Sequence, residues 1–116
     1  MHEASIAQGI IDTAVAALPR PGAKISKITV VAGVMAGVER ESLELYFGEL
    51  SKGTAASGAS MEFKRLAAKL ICSKCYNQTT YNNDGDLTVR CPKCDGPNRL
   101  EGGNELYIES MEVEDE

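Results

Sequence analysis

Four cysteines stand as two C-x-x-C pairs, Cys72-Ser73-Lys74-Cys75 and Cys91-Pro92-Lys93-Cys94, with residues 76–90 between them. In a C-x-x-C knuckle the backbone turns back on itself, so both sulfurs can reach one ion. Two such knuckles supply four soft thiolates in a tetrahedron, which suits Zn²⁺ and leaves no coordination position open for catalysis. A closed site of this kind staples structure. Rubredoxin-like iron is the nearest rival, but that fold wants aromatic packing around the metal, and the local aromatics are Tyr76 and Tyr81. A dithiol oxidoreductase needs one reactive pair at a helix start rather than two matched pairs on turns.

The second group that could do chemistry is at the other end of the chain. His2 is the sole histidine. A free Met1 amine, the backbone nitrogen of residue 2 and the His2 imidazole can close fused chelate rings on one ion, and Glu3 can add its backbone nitrogen or its carboxylate. Nitrogen-rich, square-planar sets suit Ni²⁺ and Cu²⁺. A bulky second residue such as His generally blocks removal of the initiator methionine. The bland alternative is that His2 is an inert terminal residue. Imidazole titrates near pH ~6.5 and an α-amine near ~7.7–8.0, so affinity at such a site should fall with pH as protons compete with metal.

The intervening residues must form the elements that position these groups. Ile6, Ile10, Ala14 and Leu18 step by four, with Ile11 and Val15 beside them. This predicts an amphipathic helix over 4–18, ended by Pro19 and Pro21. Residues 25–32, with Ile25, Ile28, Val30 and Val31 before Gly33, read as a strand. Glu39 to Lys52 reads as a second helix, with Leu43, Phe47 and Leu50 on one face and Gly53 as its C-cap. Thr54 to Ser60 is a loop of small residues, and Met61 to Leu66 a second strand.

Between the knuckles, Asn82-Asn83-Asp84-Gly85 predicts a hairpin turn, with Thr79–Tyr81 and Asp86–Val89 as its arms. Gly102-Gly103 is a break, and Glu105 to Val113 alternates as a third strand. This last strand has no partner in the cysteine segment, so it most simply returns to the first sheet. The expected fold is α+β: a three-stranded sheet with two helices, interrupted by a zinc-ribbon module with a Cys₄ site. The boundaries follow as 1–66 with 100–116 for the α/β part and 67–99 for the zinc-binding part. Gly102-Gly103 and the Ala67-Ala68 approach would let the module swing.

Composition restricts the function classes. Aromatics make up only 5% of 116 residues and Trp is absent, so the core must be aliphatic. A segment of about 30 residues around the cysteines cannot bury enough surface to fold alone, and a metal substitutes for the missing core. The net charge of −5 disfavours binding to a phosphate backbone, so no nucleic-acid partner is expected. No signal peptide or membrane span is visible: the run Ile6 to Leu18 is short, and Gln8, Asp12 and Thr13 interrupt it. Cysteines paired at metal spacing fit a reducing, cytoplasmic location. Nothing supports an enzyme, since no histidine beyond His2 can serve as general base.

Several stretches together resemble the hydrogenase nickel-incorporation family (HypA/HybF). They are Met1-His2-Glu3, Gly33-Val34-Met35-Ala36-Gly37-Val38-Glu39, Ser42-Leu43-Glu44 with Gly53-Thr54, the two C-x-x-C pairs, and Gly103-Asn104-Glu105-Leu106-Tyr107-Ile108. The resemblance runs over essentially the whole chain. It implies a nickel metallochaperone acting in maturation of nickel–iron hydrogenase, with a maturation GTPase and the hydrogenase large subunit as partners. Carried over by position, Met1 (amine), His2 and Glu3 are the nickel ligands, and Cys72, Cys75, Cys91 and Cys94 hold structural zinc. Ala4 departs from the larger apolar residue of many relatives. Some relatives also use a second histidine near the zinc module; this chain has none, so any fifth nickel ligand must be water, a carboxylate or a partner's side chain. The alternative reading is a zinc-ribbon protein-interaction module with no nickel role.

Overall fold

The computed structural model describes residues 2–82 and 90–114. The chain order is α1 (Glu3–Ala16), β1 (Lys24–Gly33), α2 (Arg40–Leu50), β2 (Ser60–Leu66), β3 (Ala68–Cys72), β4 (Gln78–Tyr81), β5 (Asn98–Glu101) and β6 (Leu106–Glu114). They make two three-stranded sheets, of order β2-β1-β6 and β4-β3-β5. The α+β class, the two helices and the return of the last strand to the first sheet match the sequence expectation.

The chain divides into two compact units. One comprises Met1–Val31, Val38–Lys64 and Tyr107–Glu116; the other comprises Ala32–Gly37 and Arg65–Leu106. In the first unit, β1 is the central strand and carries the apolar, β-branched residues that a sheet covered by helices demands. Ile25, Ile28, Val30 and Val31 are all buried. The helices supply Ala7, Ile10, Ile11 and Ala14 from α1 and Leu43 and Phe47 from α2. The buried stripe of α1 therefore runs through Ala7 and leaves Val15 at the surface, because a 3.6-residue period drifts from a strict step of four. Two prolines follow at once, and α1 ends at Ala16, two residues earlier than the spacing predicts.

α2 closes at Ser51, whose N–H donates to the Phe47 carbonyl at 3.0 Å. Gly53 lies beyond this cap in the left-handed region, at φ 80°, where a side chain would be strained. Leu50 is surface-exposed rather than part of the buried face. The flanking strands of the first sheet are tied by charge: Lys27 Nζ on β1 reaches Glu62 on β2 at 2.7 Å and Glu112 on β6 at 3.7 Å. Lys64 and Glu109 pair at 2.8 Å.

The second unit is built on β3, a strand the sequence reading does not anticipate. β3 pairs antiparallel with β4, Ala68 opposite Tyr81 and Ile71 opposite Gln78, and with β5, Lys69 opposite Glu101 and Cys72 opposite Asn98. Ala68, Leu70, Ile71 and Cys72 are buried, and these few residues are the unit's apolar centre. Thr79–Tyr81 is thus an arm paired with β3. Residues 83–85 of the turn predicted at 82–85, and the opposing arm 86–89, lie outside the described residues.

The chain enters and leaves this sheet past residues 33–35. Val34 N–H donates to the Leu66 carbonyl at 2.9 Å, Met35 N–H to the Gly103 carbonyl at 2.7 Å, and Gly33 N–H to the Glu105 carbonyl at 2.7 Å. The Gly103 N–H in turn donates to Glu105 Oε1 at 2.9 Å. Gly102 and Gly103 both adopt positive φ. At the expected link Gly102-Gly103, both the N–H and the carbonyl of Gly103 are hydrogen-bonded within this unit.

Candidate metal centres

The cysteine pairs sit on two knuckles of the same construction. In the first, Cys72 N–H donates to the Asn77 carbonyl at 2.9 Å and Tyr76 N–H to the Cys72 carbonyl at 3.1 Å. In the second, Cys91 N–H donates to the Gly96 carbonyl at 2.8 Å and Asp95 N–H to the Cys91 carbonyl at 2.9 Å. The residue after each second cysteine turns left-handed, Tyr76 at φ 61° and Asp95 at φ 60°. Ser73 N–H donates to the Pro97 carbonyl at 2.9 Å, which joins one knuckle to the other. β3 delivers Cys72 and β5 leads away from the second knuckle, so one strand pairing brings the two loops together.

All four sulfurs lie within 4.8 Å of one another. Across the knuckles, Cys72 and Cys94 Sγ are 3.4 Å apart and Cys75 and Cys91 Sγ 3.6 Å. A disulfide would require about 2.05 Å. Zinc–sulfur bonds of about 2.3 Å set the edges of a tetrahedron near ~3.8 Å, so the cluster has the dimensions of one Zn²⁺ site.

Backbone donors around the sulfurs favour thiolate. Cys75 and Lys74 N–H groups point at Cys72 Sγ at 3.4 and 3.3 Å, and Lys93 N–H at Cys91 Sγ at 3.4 Å. The Cys75 donor, followed by that of Lys74, holds the Cys72 thiol down to about 6. The Cys94 N–H lowers Cys91 in the same way. At Cys94 the Gly96 N–H favours the anion, but sharing hydrogen bonds with the Cys72 and Cys75 sulfurs outweighs it and pushes that thiol up to about 12. Without metal, the sulfurs compete for protons, as four crowded anions must. A dication relieves that conflict, and the soft donor set fits zinc. The cysteine spacing does not mark Gly96 as part of the centre. A β-carbon there would lie 3.2 Å from both Cys72 and Cys94 Sγ, so the absence of a side chain is what lets the loop close over the sulfurs.

His2 and Glu3 stand apart from the cysteines in sequence and in role. His2 is exposed at the N-cap of α1, and its carbonyl accepts the Ile6 N–H at 3.1 Å. Glu3 is the first residue of the helix. Its Oε2 accepts the Glu39 N–H at 3.1 Å, and that bond, with a further one from its own N–H, holds its carboxyl below the ordinary 4.5. The predicted Met1 amine lies outside the described residues. Among the described residues, the four cysteines form the one cluster of three or more metal-ligating side chains, and no helix is long and apolar enough to cross a membrane.

Comparison with known proteins places this arrangement in a family. Residues 1–113 match the family model described as hydrogenase/urease nickel incorporation, metallochaperone, hypA. The hydrogenase maturation factor HypA of Caldanaerobacter subterraneus subsp. tengcongensis is 42% identical, with 98% of this chain and 100% of that protein aligned. That of Dehalococcoides mccartyi is 43% identical over 100% of this chain and 97% of its own length. The solution structure of the Ni metallochaperone HypA from Helicobacter pylori superposes with a TM-score of 0.64 at 20% identity, covering all of both chains, and so shares the fold. The family model spans nearly the whole chain, and the chain belongs to the hydrogenase/urease nickel-incorporation metallochaperone family.

Proposed function

We propose that this protein binds Ni²⁺ at its N-terminus and delivers it during maturation of nickel–iron hydrogenase, while Cys72, Cys75, Cys91 and Cys94 hold a structural Zn²⁺. The observation that carries the reading is the family match over residues 1–113, a span that contains both the terminal Met-His-Glu and the four cysteines. The geometry of α1 supports it. The first N–H groups of a helix have no carbonyl four residues before them, so replacing the amide protons of His2 and Glu3 by a metal breaks no bond of the helical ladder. The positive end of the helix dipole also favours the amide anions that such ligation creates. His2 is exposed, as a group that takes up and surrenders an ion must be.

The α/β part carries nickel, and the part that holds the four cysteines presents a fixed surface. The protein is a carrier and not an enzyme, and it acts in the cytoplasm with the maturation GTPase and the hydrogenase large subunit. Zinc, when bound, supplies cross-linking and charge neutralisation. The chain's own contribution is to hold four sulfurs at the spacing one ion requires and to direct backbone donors at two of them.

The test is calorimetric titration of Ni²⁺ into zinc-loaded protein with a native, untagged terminus, beside His2→Ala. One equivalent bound by the native chain and lost in the variant supports the reading. Equal binding in both removes His2 from it and leaves a zinc-ribbon interaction module.

A further inference from the structure

α2 begins without the usual means of satisfying its first donors. Its N-cap is Glu39, at φ −93° and ψ 122°, and the Glu39 side chain makes no capping bond. In a capping box an acidic or amide residue at the third helical position reaches back to the N-cap N–H. Here that position is Ser42, and its hydroxyl does something else: it donates to Glu39 Oε1 at 3.1 Å. The Glu39 N–H is met instead by Glu3 Oε2, from the first residue of the other helix. The remaining signals for a helix start are in place. Val38 and Leu43, the two positions of a hydrophobic staple, are buried, and Leu43 N–H donates to the Glu39 carbonyl at 3.0 Å.

We propose that Glu3 is a positioning residue, whose carboxylate supplies from outside α2 the one bond to the N-cap N–H that a capping box would draw from its third helical residue, and thereby fastens the nickel-binding segment to a rigid base. The proposal rests on the reading of the terminus as the nickel site and deepens it. His2 and Glu3 are then held from two sides. The His2 carbonyl is tied forward to Ile6 within α1, and the Glu3 side chain is tied across to α2. A chelate of consecutive backbone and side-chain nitrogens gains when the peptide carrying it is already ordered, because the entropy of ordering is spent before the ion arrives. The carboxylate already accepts the Glu39 N–H through Oε2, and the role assigned to Glu3 is to tune retention of nickel by holding the peptide rather than by donating an oxygen to the ion.

The test uses the full zinc-loaded chain with a native terminus, as wild type, Glu3→Ala and Glu3→Gln. Gln keeps an oxygen that can accept the Glu39 N–H, whereas Ala does not. Three quantities are read: hydrogen exchange at the Glu39 amide in nickel-free protein, the rate of Ni²⁺ release to a competing chelator, and the visible absorption of the nickel complex. Loss of one cap bond corresponds to about tenfold in each rate. Glu3→Ala is therefore expected to speed Glu39 exchange and nickel release by about that factor with the absorption bands unmoved, and Glu3→Gln to restore both. Unchanged Glu39 exchange in Glu3→Ala overturns the proposal. So do shifted nickel bands in both variants, which would make the carboxylate a ligand. If the wild type takes up no nickel at its terminus, the functional reading falls, while Glu39 exchange in the nickel-free proteins still decides whether Glu3 caps α2.

Discussion

Gly33 and Gly103 pass so closely that a β-carbon on Gly33 would overlap the Gly103 carbonyl. The approach exists because Gly33 N–H reaches Glu105 and Met35 N–H reaches Gly103, so two chain segments far apart in sequence run backbone against backbone. The obstruction to a side chain is main chain and cannot rotate away. Gly33→Ala is expected to cost about 3 kcal/mol, the upper range for overpacking a close-fitting site. Denaturant unfolding of the zinc-loaded protein measures this, and an unchanged midpoint would show that the two segments part freely.

Gly96 faces the sulfurs as Gly33 faces a carbonyl. A methyl group there would press on Cys72 and Cys94 Sγ and on the flexible end of Lys74. Lys74 can move, but sulfurs committed to one ion cannot. Zinc competition with a chromophoric chelator should show Gly96→Ala binding about tenfold more weakly, the scale of disturbance expected when a supporting residue of a metal site is changed.

The two left-handed residues after the knuckles give a graded prediction. Tyr76 has a bulky side chain at φ 61°, so Tyr76→Gly should raise stability by about 1 kcal/mol, seen as a higher melting temperature with zinc bound. Asp95 has nearly the same φ, but Asp tolerates this region far better than Tyr. Asp95→Gly should therefore yield the smaller gain. A reversed order would mean that side-chain contacts rather than backbone strain govern these positions.

The Lys27–Glu62 pair predicts a pH dependence with a definite sign. Bonding to Glu62 raises Lys27 above its ordinary 10.5, and bonding to Lys27 lowers Glu62 below 4.5. A depressed carboxyl contributes stability that is complete above its unfolded value and disappears as pH falls through the folded one. A raised ammonium contributes below its unfolded value and loses its effect as pH rises through the folded one. The pair should thus act fully between these limits. Lys27→Gln should lower the melting temperature at pH 7, and the difference from wild type should vanish in acid and shrink in high salt, since both groups face solvent.

Much of this molecule is legible in the amino-acid sequence because strong local rules apply where they can be read. The four cysteines announce their own convergence by spacing. β1 announces itself by branched residues, and α1 by apolar periodicity closed with proline. The strand β3 is hidden because Ala68 and Lys69 carry no strand preference, and only Leu70 and Ile71 hint at it. What makes them a strand is pairing on both sides with β4 and β5, a contact between segments distant in the chain. Glu3 shows the same limit in the candidate site. Its identity suggests a metal ligand, and its hydrogen bond to Glu39, 36 residues on, is a tertiary fact with no sequence pattern.

The return of β6 to the first sheet has a consequence for biosynthesis. β1 and β2 can pair as soon as they have left the ribosome, but the order β2-β1-β6 stays incomplete until everything from Ala67 to Glu105 has also been made. Pairing so remote in sequence forms late, and an unfilled flank of β1 is open to wrong partners meanwhile. During that interval both cysteine knuckles emerge, so capture of Zn²⁺ can precede closure of the first sheet. Vectorial synthesis thereby gives metal loading and strand closure an order in time that the finished structure no longer displays.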